Sequence, residues 1–210
     1  MYDTRTDAGL HLAEALRSFT IEHPVILGLP RGGVVLAATV AQQLHAPLGI
    51  VLVYKICHPT SPEYAIGAVA ENEQPVYAQA EVRDIDKQWL DHAEADARKF
   101  IAKRRKLYYG SMLHPPIVTG KTAILVDDGA ATGLTMVAAI KATRSKRPKK
   151  IIVALPVVSR EAMVKLTALA DDIVTLEAVD SFAGAIAAHY RAFDQVTNTT
   201  VQTLLRKAYL

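Results

Sequence analysis

The sequence is short of several things that would point to particular chemistries. Cys57 is the only cysteine among 210 residues, so no intrachain disulfide can form and no multi-cysteine zinc cluster can be built. Such usage suits a reducing compartment. No apolar run is long enough to cross a bilayer. The first thirty residues carry Asp3, Arg5, Asp7, Glu14, Arg17 and Glu22 and have no apolar core of the kind that targets secretion. Glycine and proline form no tract that would serve as a linker, and no internal repeat is visible. A soluble, cytoplasmic protein without membrane contact is the expectation.

What is present suits one compact domain spanning 1–210. Half the residues are hydrophobic and 21% are charged, enough to build a sizeable core. The net charge of +3 tolerates a small polyanionic ligand without requiring nucleic acid. The densest basic run, Arg144 to Lys150, reads as a helix C-terminus followed by a turn at Pro148.

Short apolar runs alternate with amphipathic stretches. Strands are predicted at Val25–Gly28, Gly49–Tyr54, Thr122–Val126, Ile151–Leu155 and Ile173–Leu176. Helices are predicted at Val34–Leu44, Thr135–Ser145, Arg160–Leu169 and Val201–Ala208. A long helix is expected over about 81–109, where the chain is charged and free of glycine and proline. An irregular loop is expected from Lys55 to Tyr64, and a short hairpin around Glu71–Gln74. Apolar strands separated by helices imply a parallel α/β sheet covered on both faces, which binds ligands beyond the carboxyl ends of its strands.

The most informative segment lies at such an end. The strand Ala123-Ile124-Leu125-Val126 runs into Asp127 and Asp128, then Gly129-Ala130-Ala131-Thr132-Gly133-Leu134-Thr135 opens a helix. Small residues let backbone N–H groups approach a phosphate, and the helix start adds partial positive charge. Two carboxylates beside that loop would repel a bare phosphate. They make sense if they hold sugar hydroxyls or a hydrated divalent cation on the same ligand. A strand-end acid with a simple threonine cap would explain one acid and one threonine, but neither the acid pair nor the small-residue loop.

This segment resembles the phosphoribosyl pyrophosphate (PRPP) motif of the type I phosphoribosyltransferases, in which two acids are followed by three residues and Thr-Gly-x-Thr. Asp127, Asp128, Thr132, Gly133 and Thr135 match, whereas Gly129 and Ala130 stand where aliphatic residues are usual. The resemblance implies a type I fold with a small hood, here formed by terminal segments. It implies that Asp127 and Asp128 hold the ribose hydroxyls, and that Gly129, Ala130, Ala131, Thr132, Gly133, Leu134 and Thr135 cradle the 5-phosphate. Leu29-Pro30-Arg31-Gly32-Gly33 resembles the pyrophosphate loop, making Arg31, Gly32 and Gly33 anion ligands. Lys55 is either a further pyrophosphate ligand or a solvated strand end.

Glu63, in the segment that is often a mobile lid in the family, is either an acid/base group or a turn residue. His58 reads as a surface histidine. Phe182 and Tyr190 fall in the hood region, where core packing is favoured over stacking on an acceptor. Trp89, Tyr108 and Tyr109 read as packing or subunit contacts. Further short matches, from Asp3-x-Arg5 to Ala154-Leu155-Pro156-Val157, are similar to a group of bacterial phosphoribosyltransferases of unassigned acceptor.

The function thus expected is transfer of a 5-phosphoribosyl group from PRPP to a small nitrogenous acceptor. Mg²⁺ would arrive with the donor rather than in a metal site of the protein, and a homodimer is the expected assembly. A non-catalytic, PRPP-sensing regulator that binds nucleic acid is the alternative, supported only by the 144–150 run. A third reading uses the same pocket for hydrolysis or phosphorolysis of a phosphorylated nucleoside.

Overall fold

The computed structural model describes residues 1–110, 114–180, 182 and 185–208, with the side chain of Glu63 outside that set. Five strands, β1 (Pro24–Gly28), β2 (Leu48–Ile50), β6 (Thr122–Val126), β7 (Lys150–Ser159) and β8 (Asp172–Val179), form a parallel sheet in the order β2-β1-β6-β7-β8. Three more, β3 (Val53–His58), β4 (Ser61–Ala70) and β5 (Val76–Tyr77), form a separate antiparallel sheet. The helices are α1 (Arg5–Leu16), α2 (Gly33–Gln43), α3 (Gln79–Val82), α4 (Lys87–Tyr109), α5 (Leu134–Arg144), α6 (Arg160–Thr167) and α7 (Asn198–Lys207), with a 3₁₀ turn at Ile186–His189.

The central strands β1, β6 and β7 are apolar between their ends because both sheet faces are covered. One face packs Ile26, Ile124, Val126 and Ile152 against α1 and α2, with α4 and α7 outside them. The other packs Val25, Leu27, Leu125 and Val153 against α5, α6 and the antiparallel sheet. Burying these runs is the main drive for the fold, at about 25 cal/mol per Å² of apolar surface.

Three elements differ from their expectation. Lys55–Tyr64 is not an irregular loop but the closed end of the β3–β4 hairpin, paired from Val53–Ala70 to His58–Ser61. Its proline and polar residues occupy the turn and its exposed rim, which hides the strand pattern in the sequence. The strand expected over Gly49–Tyr54 is two strands, because the chain leaves the parallel sheet at Val51–Leu52 to enter the antiparallel one. The long helix is interrupted at Arg83–Asp86, where the Asp86 side chain accepts a hydrogen bond from the Gln88 N–H and caps a fresh start. Helix α1 had no counterpart in the pattern reading.

Register brings the ligand-facing segments together. Gly28 is paired with Val126, and the Leu29 N–H donates to the Val126 carbonyl at 3.0 Å. The turn after β1 and the acid pair after β6 therefore leave the sheet at the same level, side by side.

Candidate functional site

The loop after β6 is stitched to its neighbour. The Ala130 N–H donates to the Val157 carbonyl and the Ser159 N–H to the Ala130 carbonyl, each at 3.0 Å. The Ser159 hydroxyl donates to the Ala131 carbonyl at 2.5 Å and accepts from the Ala162 N–H, capping α6. The Lys165 ammonium donates to the Thr132 carbonyl at 3.2 Å. Carbonyls of the loop are thus turned toward protein donors. Beyond Ala130 its amides are not so engaged: among the described residues the N–H groups of Ala131, Thr132 and Gly133 and the hydroxyls of Thr132 and Thr135 have no protein partner. Gly133, at φ 74°, takes the left-handed conformation that lets α5 begin immediately afterwards. The result is a row of free donors at the start of an 11-residue helix, an arrangement suited to a phosphate.

The acids lie at the other end of the loop. The Asp127 carboxylate accepts the Asp128 N–H at 2.9 Å, and the Asp128 carboxylate accepts the Arg5 Nε–H at 2.8 Å. Although Asp127 touches the cleft, it is set deep in the protein. Burial pushes its carboxyl well above the usual carboxylate range, and the neighbouring Asp128 charge pushes the same way. The hydrogen bond from the Asp128 amide, and the charges of Lys55 and Arg5, oppose that rise.

The glycines of the β1 turn exist for close approach. A Cβ on Gly32 would lie 2.0 Å from Asp128 Oδ2, and one on Gly33 would lie 2.7 Å from Asp127 Oδ1. The Pro30–Arg31 peptide within this turn is cis. A cleft of about 410 Å³ opens here, lined by Arg31, Gly32, Lys55, Asp127, Asp128 and Thr135 among others. A larger cavity of about 860 Å³ lies away from these residues, between α2 and α7, and gathers no acid pair or phosphate loop.

The fold therefore assembles nearly every residue singled out from the sequence. Lys55 reaches the cleft from β3 of the antiparallel sheet. Glu63 lies in β4, and its side chain falls outside the described residues. His58 is at the far end of the hairpin, where its Nδ1 meets Thr60. Tyr190 is buried, packs on Tyr2 and Phe193, and donates its hydroxyl to the Asp128 carbonyl at 2.7 Å. Burial raises its phenol above the ordinary range, so it serves as a neutral donor fixing the acid pair's backbone. Phe182 packs edge-on against His189.

Sequence reasoning missed Arg5 as a site residue. It reaches Asp128 from the start of α1, its guanidinium stacks 3.6 Å from the centre of the Phe193 ring, and its Nη1 donates to the Asp194 carbonyl. It also missed Phe100 and Arg104 of α4, which line the same cleft. The departure at Gly129 has a spatial cause. A Cβ there would meet Ile186 Cγ2 at 2.9 Å and Val157 Cγ1 at 3.0 Å, so the 3₁₀ turn and β7 already fill the place of an aliphatic side chain. In the basic run, Arg144, Lys149 and Lys150 are paired with Asp171, Glu22 and Asp172.

Residues 7–191 match the family model of the phosphoribosyl transferase domain. A protein of Mycobacterium tuberculosis strain H37Rv, provisionally named a phosphoribosyl transferase, is 34% identical over 211 residues, covering all of this chain and 47% of that protein. The chain spans about half the length of the curated relatives it matches. Among solved structures, the TT1426 protein of Thermus thermophilus is 39% identical with a TM-score of 0.81, covering 98% of each chain. The purine phosphoribosyltransferase of Pyrococcus horikoshii is 17% identical with a TM-score of 0.50, covering 94% of this chain and 97% of that one, a likeness of fold alone. The matched span contains the acid pair, the free-amide loop and the glycine turn, and the chain belongs to the phosphoribosyl transferase family.

Proposed function

We propose that the protein transfers the 5-phosphoribosyl group of PRPP to a small nitrogenous acceptor and releases pyrophosphate. The observation that carries this reading is the row of unpartnered donors from Ala131 to Thr135 directly beside the acid pair. A phosphate and a diol a few ångströms apart on one ligand would engage both.

In this reading the free amides and the Thr132 and Thr135 hydroxyls hold the 5-phosphate, while Asp127 and Asp128 accept hydrogen bonds from the ribose hydroxyls. Arg31, the Gly32–Gly33 backbone and Lys55 face the pyrophosphate. The acceptor nitrogen forms its bond to C1 of the ribose as the bond from C1 to the pyrophosphate oxygen breaks. Pyrophosphate leaves with the electron pair, and the acceptor's surplus proton passes to solvent. The transition state gains positive character at C1, so the protein contributes chiefly alignment and stabilisation of departing charge.

The donor set fits Mg²⁺ carried in by the substrate. No group of three or more His, Cys, Asp or Glu residues able to hold a metal occurs among the described residues. One or two carboxylates plus substrate phosphates is the coordination Mg²⁺ favours, and Asp127 or Asp128 would supply such a carboxylate. When bound, the ion would offset charge on the leaving pyrophosphate. A homodimer in the cytoplasm completes the proposal.

Titration calorimetry with PRPP and Mg²⁺, with ribose 5-phosphate and ATP as controls, tests the reading. Micromolar, Mg²⁺-dependent binding selective for PRPP supports it and justifies screening nitrogen acceptors for pyrophosphate release. A folded sample that ignores PRPP would sink it. Salt-sensitive binding of nucleic acid modulated by PRPP, without turnover, would instead identify a regulator.

A further inference from the structure

Helix α4 is inserted between the antiparallel sheet and β6, and nothing in the donor motif requires it. Its outer residues are polar, as expected of a solvated helix, yet one stretch turns inward over the cleft. Phe100 packs on Tyr54 of β3 with ring centres 4.4 Å apart. One turn later, Arg104 lies with its guanidinium carbon 4.7 Å from the Phe100 ring centre and 5.5 Å from that of Tyr108. The Arg104 Nη1 donates to the Tyr108 hydroxyl. Tyr108 is only 2% exposed, and its hydroxyl donates in turn to Asn198 Oδ1 of α7 at 2.8 Å. The guanidinium is therefore held from two sides by rings and anchored through Tyr108 to a second helix.

Its charge is not offset. Among the described residues Arg104 forms no ion pair with a carboxylate, and neither do Arg31 and Lys55, the other two cations lining the cleft. Elsewhere the protein pairs its arginines readily: Arg98 with Glu94, Arg105 with Glu71 and Arg144 with Asp171. Three cations without a carboxylate partner among the described residues line one 410 Å³ cleft together with two carboxylates, a site for a ligand that carries several negative charges at one end.

We infer that Arg104 is a third cationic ligand for the donor's pyrophosphate, supplied by the inserted helix and prepositioned by Phe100, Tyr108 and Asn198. The inference rests on the donor-site reading above. A planar guanidinium whose rotamer is already fixed loses little freedom on binding and can offer a fork of N–H donors to two phosphate oxygens. Phe100 and Tyr108 flank the guanidinium, and Arg104 lines the cleft together with Arg31 and Lys55.

The test is calorimetry of wild type and R104Q with three probes, Mg²⁺–PRPP, Mg²⁺–pyrophosphate and ribose 5-phosphate. R104Q should bind the first two roughly 10- to 100-fold more weakly, the loss typical of one charge-assisted contact, while ribose 5-phosphate binding stays unchanged. R104K should recover part of the loss, because it restores charge without the fork. Unchanged binding of Mg²⁺–PRPP and Mg²⁺–pyrophosphate by R104Q, or an equal loss for all three probes, overturns the inference. If R104Q fails to fold, R104K decides. A several-fold loss confined to the two pyrophosphate-bearing probes supports the assignment, and wild-type affinity refutes it. Failure of the wild type to bind Mg²⁺–PRPP removes the donor-site reading itself. Wild-type binding with an indifferent R104Q removes only the role of Arg104.

Discussion

The Arg5 guanidinium holds Asp128 at 2.8 Å, tying the first turn of the first helix to the second acid of the pair at the centre of the cleft. Both side chains are largely shielded, with 11% and 15% exposure. Asp127 stands beside Asp128, and two adjacent carboxylates in such a place repel each other unless a cation is near. Arg5 supplies that cation through one oxygen of Asp128, itself a lining residue of the cleft. Because Arg5 also stacks on Phe193 and reaches the Asp194 carbonyl, the 193–194 segment and the acid pair form one connected unit.

Replacing Arg5 should therefore cost both stability and binding. R5Q leaves Asp128 without its partner, and the expected loss is toward the low end of about 3–5 kcal/mol, since both groups keep some solvent contact. Urea unfolding of R5Q, D128N and the double variant measures it. The double variant should be more stable than R5Q alone. Simple additivity of the two single losses would show that the pair is not coupled.

Asp127 makes an opposite prediction for stability. Its carboxyl is raised by burial and by Asp128, so between the ordinary carboxylate value of about 4 and its raised value in the fold, the native state binds more protons than the unfolded one. Stability must then fall as pH rises through that window. D127N removes the dependence, and its melting temperature should exceed wild type above the window by roughly 2–4 °C for each kcal/mol of repulsion relieved. The same variant should lose affinity for PRPP. Parallel pH slopes for wild type and D127N in thermal melts would contradict the assignment.

The glycine turn is equally exposed to test. G32A would place a methyl 2.0 Å from Asp128 Oδ2 and 2.9 Å from Arg5 Nε, so the carboxylate must swing away from its cation. Overpacking of this kind costs about 1–3 kcal/mol. Binding of Mg²⁺–PRPP should weaken more than stability falls, because the displaced group is one that grips the sugar. Calorimetry beside thermal melting separates the two effects, and unaltered affinity in G32A would count against a sugar-binding Asp128.

Much of this was legible in the sequence for a local reason. A strand, an acid pair, a small-residue loop and a helix start are contiguous, so Asp127 to Thr135 could be read in one glance, and the parallel strands announced themselves through unbroken apolar runs. Arg5 and Arg104 could not be read in that way. They come from helices distant in sequence from the motif, and only tertiary packing shows that Arg104 lines the cleft and that Arg5 pairs with Asp128. Arg5 also lies upstream of the residues that match the family model. The β3–β4 hairpin was hidden because its strands do not alternate: β4 runs from an exposed end at Ser61 and Pro62 into an unbroken buried stretch, Ile66 to Ala70, and β3 has adjacent exposed residues at Tyr54 and Lys55.

Gly129 offers a last prediction, drawn from the place where the motif departs from its family. Its small size is matched to Ile186 of the 3₁₀ turn, whose Cγ2 would lie 2.9 Å from an added Cβ, and to Val157 of β7 at 3.0 Å. Gly129 and Ile186 are thus mutually adjusted, at a backbone φ of 159° that itself favours glycine: a larger residue after the acid pair requires a smaller one in the 3₁₀ turn. G129V should destabilise the protein by about 1–3 kcal/mol, and I186A, which removes a half-buried side chain, should also destabilise it. Combined, they should recover part of the loss, since the valine would occupy space the isoleucine vacates. A double-mutant cycle in urea reads this directly as a coupling of about 0.5 kcal/mol or more. Additive losses would mean that the backbone at Gly129, rather than Ile186, limits the side chain, and the hood would then be free to vary independently of the motif.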